Sequence, residues 1–355
     1  MSSSAFTHPF LSALLGDDET AGFFSVEADI AAMLGFERAL ANAEAAAGLV
    51  PVAAAERIGE VCTTFVPDMS ALRAGTAKDG VVVPEFVRQL RSAVGKELES
   101  YVHFGATSQD VIDTGLMLRL QQVCRMFLGR LSGLDEGFER LQDQIGSHRM
   151  MGRTRMQAAM PISVEDRLRA WREPLQRHRQ RLEQFAAEGF PVQLGGAVGN
   201  LDKLRDKGPV IRLAVASELG LADEPQWQSQ RDRVAEFAGL LSLITGSLGK
   251  LGQDVALLAQ SGGEIELSGG GGSSAMAHKQ NPVGAEVLVS LARFNATQVS
   301  GLHHSLVHEQ ERSGAAWTLE WLILPQMVMA AGAALRIATE LLTNIRSLGS
   351  QIHNS

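Results

Sequence analysis

The stretch Gly269-Gly270-Gly271-Gly272-Ser273-Ser274-Ala275-Met276-Ala277-His278-Lys279-Gln280-Asn281-Pro282 concentrates reactive side chains on a pliable backbone. Successive glycines visit both signs of φ, so the segment has no fixed path of its own. Asn281 followed by Pro282 reads as the N-cap and first residue of a helix. Such a loop carries the Ser273 and Ser274 hydroxyls and the Lys279 ammonium beside an anion-seeking helix end. That is the equipment of a catalytic lid. A flexible Gly/Ser linker is the alternative, but linkers do not ordinarily end in Met-Ala-His-Lys-Gln-Asn-Pro before a long helix. No Gly-Lys-Ser/Thr follows a strand, so the glycines do not make a phosphate-binding P-loop.

Two further segments read as helix starts that suit an acid. In His103-Phe104-Gly105-Ala106-Thr107-Ser108-Gln109-Asp110, Thr107 and Asp110 have capping-box spacing. Thr107, Ser108 and Gln109 place donors beside free backbone N–H groups, an arrangement for a carboxylate or simply a capped helix. In Gly152-Arg153-Thr154-Arg155-Met156-Gln157-Ala158-Ala159-Met160-Pro161, Arg153 and Arg155 flank Thr154, with Gln157 close behind. Arginine forks bind carboxylates bidentately, although a solvated basic turn looks the same in sequence. His304 and His308 fall at i, i+4 on a predicted helix, but zinc needs a third ligand and an open position. Polar residues facing a cleft or a subunit interface are the preferred reading, and neither metal nor cofactor is expected.

Composition narrows the possibilities. The 355-residue chain has a net charge of −8, which argues against a general nucleic-acid binder and makes any cationic site local. Cys62 and Cys124 form no disulfide framework and suit a reducing cytoplasm. Met1 to Phe10 shows neither a basic start nor an apolar signal segment. The apolar run from Trp321 to Leu335 is shorter than a bilayer span and contains Pro325 and Gln326, so it reads as a core helix, and no membrane partner is expected.

Long helices must position these segments. Ile112, Leu116, Leu120, Val123, Phe127, Leu131, Leu134, Phe138, Leu141 and Ile145 recur at steps of three or four, predicting a helix of roughly forty residues. Further helices are expected at 161–188, 231–260, 282–312 and 317–348, with extended pieces near Val81-Val82-Val83 and Phe190 to Leu194. Before them, Ser25 to Ala47 is amphipathic through Ile30, Leu34 and Leu40. The expected fold is all-α: a small N-terminal helical domain over 1–104, an elongated long-helix bundle over 105–348, and a short tail over 349–355 with no full third domain. The apolar stripes are too wide for two-helix seams, so self-association into a homotetramer with a multi-helix core is anticipated.

The three polar segments, in this order, resemble the fumarase/aspartase superfamily of lyases. Gly272 to Pro282 is similar to its Gly-Ser-Ser-x-Met-x-x-Lys-x-Asn-Pro loop, and Gly195-Gly196-Ala197-Val198-Gly199 to a further active-site turn. Within it, His308-Glu309-Gln310-Glu311-Arg312-Ser313-Gly314-Ala315-Ala316-Trp317-Thr318-Leu319-Glu320-Trp321 resembles the bacterial carboxymuconate cycloisomerase branch. Adenylosuccinate lyases would place nucleotide-binding polar groups where Ala315, Ala316, Trp317 and Trp321 stand here. The resemblance implies a small tricarboxylate substrate, with Ser273, Lys279 and His103 as catalytic residues. It implies Thr107, Ser108, Gln109, Arg153, Thr154, Arg155, Gln157, Ser274, Met276, Asn281 and Arg312 as substrate-binding residues. Many relatives carry histidine at Arg155, where it is linked to protonating a leaving group. A lactonising enzyme needs no such help, because its leaving carboxylate has a pKa of about 4. A fumarate-releasing lyase and a non-catalytic scaffold are the alternatives.

Overall fold

Short polar turns cut the first hundred residues into α1 (Ser12–Leu15), α2 (Asp18–Gly22), α3 (Val26–Ala46), α4 (Val52–Thr64), α5 (Met69–Asp79) and α6 (Val83–Val94). The computed structural model describes residues 4–269, 271–272 and 280–350. Ser25 caps α3 by accepting from Ala28 N, and Asp68 caps α5 by accepting from Ser70 N and Ala71 N. Phe36, Leu40, Ile58, Phe86 and Leu90 bury one face of α3, α4 and α6 in a common core, joined by Val192, Leu194, Ile211 and Val215 from later in the chain. Val83, expected in an extended piece, opens α6 instead, because Pro84 at its second position favours helix entry.

The long periodic segment is α7 (Ser108–Ile145), whose predicted stripe from Leu116 to Leu141 is buried. It is followed by the antiparallel hairpin β1 (Arg149–Thr154) and β2 (Gln157–Ser163), then α8 (Val164–Glu188) and α9 (Gly208–Leu219). Next come α10 (Asp232–Ser261), β3 (Ile265–Leu267), β4 (Gly271–Gly272), β5 (Gln280–Asn281), α11 (Val283–His304), α12 (Gly314–Asn344) and β6 (Ile345–Leu348). The five long helices α7, α8, α10, α11 and α12 form the bundle, so the all-α expectation holds. Small residues bring α10 and α11 close: a Cβ on Gly252 would lie 2.5 Å from the Ala285 carbonyl oxygen. By length and composition α10 and α12 could cross a membrane, but 61% and 72% of their most apolar windows are buried inside the protein.

Three boundaries differ from expectation. Residues 152–161 are a β-hairpin, not a helix start; Arg155 and Met156 both have positive φ, as a two-residue hairpin turn requires. The helix expected to end at Arg312 stops at His304, since Gln310 reverses the chain at φ 48° and Ser313 must cap α12. His304 and His308 therefore do not share a helix face. The last helix ends at Asn344 rather than Leu348, where β6 pairs with β3.

Glu37 and Glu44 lie two turns apart on α3, and both are buried. Neither Glu44 oxygen has a hydrogen-bond partner among the described residues. Burial, followed by the Glu37 charge, pushes the Glu44 pKa up to about 9. The folded chain thus keeps a proton that the unfolded chain releases in the ordinary carboxylate range. Stability must fall as pH rises between those two values, at about 1.4 kcal/mol per unit for one full proton. Glu44→Gln should remove this slope. It is expected to melt above the wild type at pH 8, by on the order of 2 kcal/mol after the amide's own unpaired groups are counted. At pH 5 the advantage should vanish. Parallel thermal melts check this, and equal shifts at both pH values would refute it.

Candidate functional site

The start of α7 is built by two turns that touch. His103 (φ 60°) and Gly105 (φ 73°) swing the chain into Thr107, the extended N-cap residue. The capping box is present: Thr107 N donates to Asp110 Oδ2 at 2.9 Å. Asp110 also accepts from Gly195 N (2.9 Å), Gly196 N (3.0 Å) and Gln193 Nε2 (3.0 Å). One carboxylate therefore ties the helix start to the Gly195–Gly199 turn. Burial nevertheless pushes its pKa up to about 6 against those four donors. Gly196 has φ 70°, and a Cβ there would sit 2.9 Å from the Gly105 carbonyl oxygen, so the contact requires glycine.

Arg312 joins this corner from the loop between α11 and α12. Its Nε donates to Gln109 Oε1 (3.0 Å), while Nη2 reaches Thr107 Oγ1 (3.2 Å) and the Ala197 carbonyl (3.4 Å). The guanidinium remains exposed, and its Nη1 donates to no described residue. Ser108, between Thr107 and Gln109 in sequence, is half-buried at the first position of α7. Gln109, expected to meet substrate, is fully buried, and its amide bonds are all to protein. His103 Nδ1 lies 2.6 Å from Glu37 Oε1.

Behind Gln109 lies a buried ionic cluster. Arg231, the N-cap residue of α10, donates to Asp113 (2.6 and 3.1 Å) and to Glu320 (2.8 and 2.5 Å). Trp317 Nε1 adds a bond to Asp113 at 3.1 Å, and the guanidinium lies 4.8 Å from the Trp227 ring centroid. Burial works against the Glu320 charge, but the Arg231 fork and His308 outweigh it and hold the carboxyl below its ordinary range. The His308 ring is fully buried with Nε2 3.7 Å from Glu320, too long for a hydrogen bond. Asp113, Arg231 and Glu320 were not singled out from sequence. A signal existed: each stands where the apolar stripe of its helix continues, and a charge there demands a partner.

The remaining expected residues lie elsewhere. Thr154 pairs with Gln157 across the exposed hairpin turn that carries Arg155. Arg153 is ion-paired with Glu264, whose other oxygen accepts from Met151 N at 2.9 Å. Asn281 pairs with Gly271 in β4–β5, and Pro282 is the N-cap of α11, so Asn281 does not cap it. Ser273, Ser274, Met276 and Lys279 lie outside the described residues. Ser268 N donates to Asn344 O at the far end of α12, which places the base of this loop opposite Arg312. The 38 residues of α7 separate Thr107 from the hairpin by about 55 Å at 1.5 Å per residue. The described candidate residues thus fall in two groups at opposite ends of one bundle, with Thr107 and Arg312 at one and Arg153 and Asn281 at the other.

A cavity of about 710 Å³ lies between the N-terminal helices and the bundle, but its walls are mainly apolar. Of the two arginines that line it, Arg73 and Arg119, the latter is paired with Asp29 at 2.6 Å. Among the described residues, no group of three or more His, Cys, Asp or Glu could hold a metal ion.

Comparison with known proteins agrees with the resemblance in the sequence. The family described as lyase matches residues 16–301. The chain is 40% identical to 3-carboxy-cis,cis-muconate cycloisomerase of Pseudomonas putida over 323 residues, 89% of this chain and 76% of that protein. It is 33% identical to N-acetyl-S-(2-succino)cysteine lyase of Enterococcus italicus, covering 92% and 73%. The crystal structure of 3-carboxy-cis,cis-muconate lactonizing enzyme from Pseudomonas putida superposes with a TM-score of 0.89 at 36% identity, covering 95% and 77%.

Proposed function

Because the chain belongs to the fumarase/aspartase superfamily of lyases, we propose that it is a 3-carboxy-cis,cis-muconate cycloisomerase. One observation carries the substrate assignment: identity to a curated enzyme of that name reaches 40% across most of both chains, against 33% for N-acetyl-S-(2-succino)cysteine lyase. The exposed Arg312 guanidinium, set on Thr107 and the Gly195–Gly199 turn of an acidic protein, supports an anionic substrate.

In the proposed reaction a carboxylate oxygen adds to the conjugated double bond and closes a five-membered lactone. The C–O bond forms, and the electron pair moves onto the adjacent carbon and its carboxylate. A proton delivered to that carbon completes the isomerisation without oxidation or reduction. Ser273 is the proposed proton donor, and Lys279 with Asn281 stabilises the developing charge. Arg155 and Arg312 hold carboxylates, Arg153 joins them by exchanging its Glu264 partner for substrate, and Thr154, Gln157, Ser274 and Met276 complete the walls. His103, backed by Glu37, is a candidate relay. No step calls for a metal or organic cofactor.

The two opposed groups suggest a shared site. A homotetramer of long-helix bundles brings the Arg312 end of one chain to the loop end of another, and exposed Leu243 and Leu322 on the bundle surface favour such packing. A cytoplasmic enzyme with no nucleic-acid partner fits the free cysteines and the negative charge. The direct test mixes purified protein with 3-carboxy-cis,cis-muconate, with no added metal, and follows loss of diene absorbance. Inert carboxymuconate together with fumarate release from a succinyl substrate would replace this reading with a lyase.

A further inference from the structure

We propose that Gln109 is a positioning residue that sets the direction of the Arg312 guanidinium. This rests on the reading that Arg312 binds a substrate carboxylate. Gln109 is fully buried, and its Nε2 donates both to Asp113 Oδ2 (3.1 Å) and to the Gln228 carbonyl (2.8 Å). With both amide hydrogens taken, the orientation of the group is fixed, because flipping it would set Oε1 against two acceptors. Oε1 must therefore face Arg312, where it accepts from Nε at 3.0 Å. Asp113 is itself immobilised by Arg231 and Trp317. Order passes from the buried cluster through one amide to an exposed arginine.

The consequence is specific. An exposed arginine samples many rotamers, and ordering it on binding weakens affinity. Engaging Nε from behind holds the plane of the fork before substrate arrives. The Thr107 and Ala197 contacts, at 3.2 and 3.4 Å, both fall on Nη2 and leave rotation about that atom open. A lysine at 312 would keep the charge but could not reproduce the Nε bond.

A double-mutant cycle tests the relay. Gln109→Met keeps length and burial while deleting the amide. It is expected to raise KM roughly five- to tenfold with kcat within about twofold. Combined with Arg312→Ala, it should add no more than about twofold to the effect of Arg312→Ala alone. Multiplicative effects, or a lowered Tm with unchanged KM, would overturn the proposal by reducing Gln109 to a packing residue. Arg312→Lys in the otherwise native chain needs no core change and covers a Gln109 variant that fails to fold. A KM near that of Arg312→Ala supports the relay, and one within about twofold of wild type overturns it. Wild-type turnover of carboxymuconate tests the functional reading separately. The same cycle read as calorimetric Kd for citrate, a tricarboxylate probe, decides the relay even if the natural substrate is a different acid.

Discussion

Mixing two strongly impaired variants, Ser273→Ala and Arg312→Ala, is expected to restore activity. Each alone should fall by about two to four orders of magnitude in kcat or kcat/KM, the range for lost proton transfer or a lost carboxylate anchor. Arg312 stands before the first turn of α12, whereas the loop bearing Ser273 is rooted near its last turn, at Ser268 and Asn344. The 31 residues of α12 span about 45 Å. No small tricarboxylate bridges that gap, so a site using both groups draws them from different chains. After denaturation and joint refolding of equal amounts, about a quarter of sites should receive both native groups, by random assortment within a symmetric oligomer. A site formed within one chain would recover nothing. Activity that stays at the level of the single variants therefore rejects the shared site. Size-exclusion chromatography of the same mixture confirms that assembly took place.

Which parts of this arrangement were legible in advance follows from the range of the interactions. Thr107 and Asp110 are three residues apart, and their capping box was read correctly because both partners lie within one helical turn. The stripe from Leu116 to Leu141 gave α7 almost to the residue, since burial along a rod repeats with the helix itself. The hairpin at 149–163 was missed. Its turn is Arg155-Met156, not the Asn-Gly or Asp-Gly pair that announces two residues of positive φ, and β2 is largely exposed, without an alternating apolar face. The end of α11 was missed because apolar residues continue past His304 through Leu306 and Val307, while tertiary demands at Ser313 and Arg312 break the helix.

The site was legible as types of residue but not as roles. Gln109 looked like a surface donor because it adjoins Thr107 and Ser108. Only the fold reveals that α7 turns it inward, onto Asp113 and the Gln228 carbonyl, 119 positions away. Asp110 looked like a cap and is also the clamp for a glycine turn some 85 residues downstream. Both second roles depend on long-range neighbours, about which local spacing carries no information.

The same long-range dependence makes Arg231 the most consequential residue outside the proposed contacts. Arg231→Met should leave Asp113 and Glu320 buried with no cation between them, a change that typically costs about 3–5 kcal/mol. Against a total stability of about 5–15 kcal/mol, this lowers Tm on the order of 10 °C. The pH dependence identifies the cause. In the native chain Arg231 and His308 outweigh burial and keep the Glu320 carboxyl below its ordinary value. Its ionised form therefore contributes stability above the unfolded pKa, and that contribution is lost as pH falls through the folded one. Without Arg231, burial acts unopposed by the fork and the folded pKa rises, so the variant gains stability as pH falls. The Tm gap between variant and wild type should then narrow from pH 8 to pH 5. Adding Asp113→Asn and Glu320→Gln to Arg231→Met should recover a substantial part of the loss at pH 8, since neutral amides do not repel. A gap independent of pH, with no recovery in the triple variant, would mean that Arg231 acts through its packing on Trp227 rather than through charge.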